Sequence, residues 1–300
     1  MKRSCKRFED RKGPLMKRVG ITADCVCDLP EEYLRTHGVD LIYSYVVTDR
    51  GRFQDGCEIT SGNILEYLES GGEKVETRAS ATQDYRVFFE NHLKEYDEIV
   101  HIGVSSGVSQ SYGNATASLK LIGEMGKRVT VVDSEHLSTG MGHLVMRAVE
   151  LRDSGSTARE IVEAITRMRG KVSTSFITRK ADYLYQNARV SAQVAKFSAF
   201  FDLHPVLDVE KGRISLKMFR IGNYERCVIR YIRSALRHSG QIDTRRLFIT
   251  HAGCTVKMLS QIKAEAESLC AFDEVVVTQA SATVSGNFGP DTVGVLFIRK

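Results

Sequence analysis

Glu98-Ile99-Val100-His101-Ile102-Gly103-Val104, followed at once by Ser105-Ser106-Gly107-Val108-Ser109-Gln110-Ser111, is the most informative segment of the chain. Its first half is short, apolar and rich in β-branched residues, the pattern of a buried strand. Its second half is a serine- and glycine-rich turn, and Ser109–Gly123 then carries helical spacing. A strand that passes directly into a helix is the repeating unit of a parallel α/β sheet. The same alternation continues on both sides. Arg18–Ala23 reads as a strand, Pro30–Thr36 as a helix opened by proline, and Val39–Val47 as a second strand. Ser61–Glu69 and Gln83–Lys94 read as helices, the latter with Tyr85, Phe88, Phe89 and Leu93 on one face. Arg128–Val132 is a further strand and Gly142–Arg152 a further helix.

Beyond Asp153-Ser154-Gly155-Ser156 the rhythm changes. A helix over Ala158–Arg169 is followed by a hairpin, Pro205–Val209 against Ile214–Phe219, turning at Lys211-Gly212. Tyr224–His238, Arg246–Thr250, Val256–Cys270 and Glu274–Gln279 then alternate helix and strand, and Thr292–Ile298 closes as a strand. The reading is an α/β protein of two domains. A basic tail (1–17) precedes an N-terminal three-layer α/β/α domain with a mostly parallel sheet (18–155). A C-terminal domain with a mixed α/β sheet follows (156–300).

Apolar residues at 42% and charged residues at 26% describe a chain able to build a core, which excludes disordered and disulfide-scaffold classes. No apolar run approaches the ~20 residues of a membrane-spanning helix. The net charge of +5 is local: residues 1–18 carry eight Lys/Arg against two acidic residues, whereas the rest carries 34 basic and 35 acidic residues. The body is therefore neutral, and no nucleic-acid partner is expected. The tail lacks the apolar segment of a secretory signal. The seven cysteines form no Cys-x-x-Cys pair, so reduced thiols in a cytoplasmic protein are the expectation.

Three readings compete for the serine-rich turn. Gly103-x-Ser105-x-Gly107 fits a nucleophile elbow, with Asp208 and His251 as speculative partners of Ser105 in a serine hydrolase, although no oxyanion-donor segment precedes it. A strand that ends in hydroxyls at a helix start also fits an anion cradle, in which Ser105, Ser106, Ser109 and Ser111 donate to a carboxylate or phosphate. The third reading is a simple helix cap. Asp24 and Asp28 flank the end of the first strand, where ligands bind in open α/β sheets, and each also suits a cap. Thr77-Arg78-Ala79-Ser80-Ala81-Thr82 is a second hydroxyl-rich turn, with Thr82 placed to cap the helix after it. Gly286-Asn287-Phe288-Gly289-Pro290 reads as a tight turn before the last strand. Asp133, Glu135, His136 and His143 are too few and too scattered for a metal site, and no cofactor loop of the Gly-x-Gly-x-x-Gly or Gly-x-x-x-x-Gly-Lys-Ser/Thr kind is present.

Seven segments, in order from about residue 18 to the C-terminus, resemble the DegV family. Ala23-Asp24-Cys25-Val26-Cys27-Asp28-Leu29-Pro30 is similar to its T-D-S-T-x-D-L opening, and Phe53-Gln54-Asp55-Gly56 to Y-x-D-G. Ser105–Tyr112 is similar to S-S-x-L-S-G-T-Y, and Val131-Val132-Asp133-Ser134 to V-I-D-S. Ala188-Arg189-Val190-Ser191 is similar to G-R-I-S, Pro205-Val206-Leu207 to K-P-I-L, and Gly289-Pro290 falls on the closing H-T-G-P-G. The resemblance implies a fatty-acid-binding protein without catalysis of its own. It implies a long-chain acyl group (palmitate or oleate class) buried in the N-terminal domain, and possible presentation to a fatty acid kinase for phospholipid synthesis. It places carboxylate contacts on Thr77, Ser109 and Asn287, with Ser105, Ser106 and Arg78 as lesser candidates, and phosphate or kinase contacts on Arg189 and Arg220. Asn287 stands where the family has histidine, so a cationic partner becomes a neutral amide. Arg78, Ser80 and Ala81 replace Ser, Pro and Ser. A lipid tunnel would need aliphatic helices on a sheet, for which Leu119, Leu121, Leu144, Val145 and Ile165 are candidates.

Overall fold

The computed structural model describes residues 18–72, 75–182 and 202–300. The basic tail and Arg189 lie outside the described residues. Strand β1 (Val19–Asp24) is buried at every position, as expected of a strand covered on both faces. It pairs in parallel with β2 (Val39–Ile42) and β6 (Glu98–Gly103), and β6 pairs in parallel with β7 (Val129–Asp133), giving the order β2-β1-β6-β7. The alternation of side chains sorts β6 between two cores. Ile99 packs with Tyr85 and Phe89 of α3 (Thr82–His92) and Ala115 of α4 (Ser111–Ile122). Val100 and Ile102 face Met141, Leu144 and Val145 of α5 (Ser138–Asp153) and Ile161 and Ile165 of α6 (Ala158–Arg169).

A six-stranded mixed sheet lies on the far side of α5. Its order is β10-β9-β8-β13-β11-β12, with β8 (Val172–Ile177), β9 (Leu203–Glu210), β10 (Arg213–Ile221), β11 (Ile242–His251), β12 (Val275–Gln279) and β13 (Val293–Arg299). Only the β11–β12 pair within it is parallel. Its outer face is covered by α7 (Tyr224–Ala235) and α8 (Val256–Leu269). Helix α5 thus lies between two sheets and is buried at every residue from Ser138 to Met146, as a helix with no solvent face must be. Thr139 Oγ1 lies 2.7 Å from Thr250 Oγ1, tying α5 to the second sheet. The expected helix start at Gly142 is four residues late, because Gly140 and Gly142 act as contact points rather than breakers. A Cβ at Gly140 would lie 2.1 Å from Thr174 Oγ1, and one at Gly142 2.9 Å from the Cys27 carbonyl.

Three further differences shape the site. The expected strand Val39–Val47 is two strands in two sheets. After β2 the chain bends at Ser44, whose N–H donates to Cys25 Sγ and whose carbonyl accepts from Asp55 N. It then enters a small antiparallel sheet, β4-β3-β5, formed by β3 (Tyr45–Thr48), β4 (Gly51–Gln54) and β5 (Glu76–Arg78). Thr82 does not cap α3; Ala81 occupies that position, and its N–H donates to Asp84. The expected turn at Gly286–Pro290 is the end of a short helix, α9 (Ala282–Phe288), which stops at Gly289 with φ 81°. Two buried carboxylates hold the start of α9. Asp55 accepts from Ala282 N and Thr283 N, and Asp28 accepts from Ser281 N. The segment 153–156 forms the turn between α5 and α6. Among the described residues no helix is long and apolar enough to cross a membrane.

Candidate functional site

A cavity of about 720 Å³ opens where β5, the turn after β6, the start of α4 and α9 converge. Five of the six proposed carboxylate contacts line it: Thr77, Arg78, Ser106, Ser109 and Asn287. They come from three separate segments, so the fold assembles a set of hydroxyl and amide groups that no local motif contains. Val26, Val104, Val108, Leu137, Val284 and Phe288 add apolar surface to the lining, and Ser44, Gln110, Asn114 and Thr283 add further polar groups.

Asn287 is bonded to Thr77. Its Nδ2 donates to Thr77 Oγ1 at 3.0 Å and to the Thr283 carbonyl at 2.7 Å. The Thr283 carbonyl fixes the amide orientation, since a flipped Asn287 would set oxygen against oxygen. Thr77 Oγ1 is thereby an acceptor toward Asn287, and its own proton is left for an oxygen in the cavity. The amide at 287 is thus a hydrogen-bond donor to Thr77 and to the Thr283 carbonyl.

Ser109 ends a buried chain of hydroxyls. Its Oγ accepts from Ser111 N at 3.2 Å and donates to Ser111 Oγ at 3.1 Å. Ser111 reaches the Tyr85 hydroxyl, which donates to Asp24 Oδ1 at 2.5 Å. Asp24 is 1% exposed, and its Oδ2 accepts from Val104 N at 2.8 Å. Burial, then the Asp24 charge, push the Tyr85 phenol well above its ordinary value, so Tyr85 stays a protonated donor. Asp24 is thus an anchor beneath the cavity, neither a cap nor a ligand contact. The sequence signal for this chain was the helical face carrying Tyr85, which read as ordinary core.

Ser105 does not line the cavity. It is fully buried, and its Oγ donates to the Gly212 carbonyl at 2.6 Å. The neighbouring Gly107 is required by the same contact, because a Cβ there would lie 2.3 Å from Gly212 O. The Gly-x-Ser-x-Gly pattern therefore marks where the β9–β10 hairpin docks on the turn. Asp208 is paired with Lys217 at 2.5 Å, and His251 lines a separate, smaller cavity. Nothing in this arrangement activates Ser105 as a nucleophile.

Arg78 sits at the rim, its side chain 64% exposed and 3.1 Å from Glu76. Arg220 lies on β10, the sheet edge, half-buried and away from the cavity lining. The aliphatic residues expected to form a tunnel do not do so. Leu144, Val145 and Ile165 belong to the core around α5, Leu119 packs with the α3–α4 cluster, and Leu121 is exposed. The apolar wall that does exist was missed in part because Phe288 lies in the segment read as a turn and Val284 in no element read from the sequence. The two histidines near Asp133 are committed elsewhere. His136 bonds through both ring nitrogens, to the Arg169 carbonyl and Thr174 Oγ1, and His143 Nε2 bonds to the Leu296 carbonyl. Burial holds both imidazoles down to about 4. Among the described residues no three His, Cys, Asp or Glu side chains are grouped to hold a metal ion.

Comparison with known proteins places these features in context. Residues 18–300 match the family model described as "Uncharacterised protein, DegV family". A DegV domain-containing protein of Caldanaerobacter subterraneus is 26% identical over 286 residues, covering 95% of this chain and all of that protein. Among solved structures, a DegV family protein from Thermus thermophilus, described by its fatty acid binding, superposes with a TM-score of 0.83 at 24% identity. The match covers 94% of this chain and 100% of that one. A DegV family protein from Eubacterium eligens loaded with heptadecanoic acid superposes with a TM-score of 0.82 at 19% identity, again covering 94% and 100%.

Proposed function

This chain belongs to the DegV family, and from that premise we propose that it binds a long-chain fatty acid non-covalently, head group at Thr77 and Ser109. The observation that carries the reading is a cavity lined both by hydroxyl groups and by aliphatic and aromatic side chains. The named ligands of the Thermus and Eubacterium relatives support the same class of ligand.

The chemistry fits. Burial of each methylene is worth about 0.8 kcal/mol, so a palmitate-length tail has a gross ceiling of about 11–12 kcal/mol, reduced by ordering and association costs. A buried carboxylate must be hydrogen-bonded, and each bond to a charged acceptor contributes about 1.5–3 kcal/mol. The Thr77 hydroxyl then orients the head, joined by Ser109 when its proton turns from Ser111 Oγ to the carboxylate, while the tail supplies affinity. Neutral donors also leave the carboxylate chemically unchanged, which suits a carrier that presents it to a fatty acid kinase, with Arg189 and Arg220 as its contacts. Ser105, with its hydroxyl committed to Gly212, gives no support to the hydrolase alternative.

The test is displacement of a fluorescent acyl probe from delipidated protein by palmitate and oleate, since the chain has no tryptophan to report binding itself. Saturable displacement at one acid per chain, with no labelling by a fluorophosphonate, is the expected result. Fluorophosphonate labelling of Ser105, or no displacement by either acid, would overturn the reading.

A further inference from the structure

The row of hydroxyls that leads from the cavity to Asp24 holds a countable set of protons, and all of them point inward. Ser109 Oγ donates to Ser111 Oγ at 3.1 Å, Ser111 donates to the Tyr85 oxygen, and Tyr85 donates to Asp24 Oδ1 at 2.5 Å. A hydroxyl carries one proton, so Ser109 keeps only an acceptor lone pair for the cavity it lines. An acyl carboxylate at Ser109 turns the row into one with an acceptor at each end. Ligand, Ser109, Ser111, Tyr85 and Asp24 are then separated by four gaps, and the three hydroxyls supply three protons. One gap is left with oxygen facing oxygen, which is unfavourable in a buried site.

Charge leads to the same place. Asp24 is 1% exposed, and Arg78, at the rim, is the one charged side chain among the described residues that line the cavity. A second carboxylate therefore joins the row with no buried cation beside it, and two linked carboxylates favour holding a proton between them. We propose that the acyl carboxylate binds with uptake of one proton from solvent, which completes the Ser109–Ser111–Tyr85–Asp24 row; the proposal rests on the acyl-binding reading above. The balance is direct: one anion and one solvent proton join the protein, and each hydroxyl keeps one proton. The added proton sits on Asp24 when the row reverses toward the ligand, or on the acyl carboxyl when it does not, and the count is the same. Besides Tyr85 of α3, the titratable groups facing Asp24 are His101 of β6, with Nε2 3.4 Å from Asp24 Oδ1, and Cys25 and Cys27 of the turn after β1. His101 Nδ1 lies 3.0 Å from Thr22 Oγ1. Burial pushes both thiols up, that of Cys27 to about 12, so neither ionises near neutral pH. From α4 comes only the Ser111 hydroxyl by way of Tyr85, and on β2 Asp24 pairs with apolar Ile42.

The experiment is calorimetric titration of delipidated protein with palmitate near neutral pH, in buffers of different ionisation enthalpy. The slope of the observed heat against that enthalpy counts the protons exchanged. The wild type takes up about one proton per acid, and its Kd weakens by about tenfold for each unit of rising pH. In Asp24→Asn the amide itself donates into the row. In Ser111→Ala the row ends at Ser109, whose proton turns to the ligand. Both variants bind palmitate with about one proton fewer than the wild type, and the difference cancels any proton carried by palmitate aggregates. Each variant is checked for cooperative melting, and where Asp24→Asn does not fold, Ser111→Ala carries the comparison. Palmitate binding without proton uptake in the wild type, or the same uptake in the folded variants, would overturn the proton count alone. A wild-type chain that does not bind palmitate would overturn the acyl-binding reading itself.

Discussion

Thr77→Val removes one hydroxyl from the site at nearly constant shape, and the structure separates its two consequences. The first concerns the ligand. Asn287 Nδ2 donates to Thr77 Oγ1 at 3.0 Å, so the Thr77 proton is directed to the bound carboxylate. Loss of a hydrogen bond to a charged acceptor costs about 1.5–3 kcal/mol, which weakens the Kd for palmitate by roughly 10- to 150-fold. The second concerns the empty protein. The Asn287 amide loses one acceptor but keeps the Thr283 carbonyl at 2.7 Å, and the apo cavity admits water, so the cost stays near about 1 kcal/mol. That lowers the apo melting temperature by a few degrees, on the order of 2–4 °C. Calorimetric titration of delipidated protein with palmitate gives the first quantity, and a thermal melt of the apo protein the second. A Kd within twofold of wild type, alongside the small drop in melting temperature, would refute the reasoning: Thr77 would then serve only as the acceptor for Asn287.

Three other perturbations probe separate parts of the account. Ser109→Ala weakens fatty acid binding by about tenfold, the low end for a bond to a carboxylate, while the apo melting temperature stays nearly constant; a large loss of apo stability would make Ser109 a cap for α4 instead. Asn287→His introduces a group that titrates near 6.5, so palmitate affinity tightens relative to wild type as the pH is lowered from 8 to 6; a flat ratio between the two would put position 287 out of electrostatic reach of the head group. Asp28 is pushed up to about 7 by burial, against hydrogen bonds from Ser138 and Ser281 that lower it. It stays protonated in the fold where the unfolded chain has already ionised, so its contribution to stability falls as pH rises from about 4 to 7. His136 and His143, held down to about 4, act in the opposite sense below about 6.5. The wild-type curve minus that of Asp28→Asn isolates the Asp28 slope, and a zero difference between pH 5 and 8 in denaturant titrations would contradict it.

The parallel sheet was readable because β1, β6 and β7 are short apolar runs at strand-like spacing, each followed by a helix. The helix α5 was readable except for its start, since Gly140 and Gly142 look like breakers and are in fact points of close approach to Thr174 and Cys27. The small sheet β4-β3-β5 and the helix α9 were not readable. Their segments are only three to seven residues long, too short for periodicity to speak, and α9 is held by Asp28 and Asp55 from far away in the chain. The resemblance to the family placed Thr77, Ser109 and Asn287, and the fold brings all three to one cavity. Apolar spacing, by contrast, marked Leu144, Val145 and Ile165 as inward-facing without saying whether they face a neighbour or a void; they face neighbours. The serine in Gly103-x-Ser105-x-Gly107 misled for a related reason, because a glycine needed by a docking hairpin leaves the same trace as one needed by a strained elbow.

Native mass spectrometry of the protein as purified from a bacterial host, followed by denaturing extraction, tests the central claim most directly. The account predicts a one-to-one complex that releases a fatty acid of the palmitate-to-stearate class on denaturation. A clean apo mass, from a protein that also takes up neither palmitate nor oleate on addition, would contradict it.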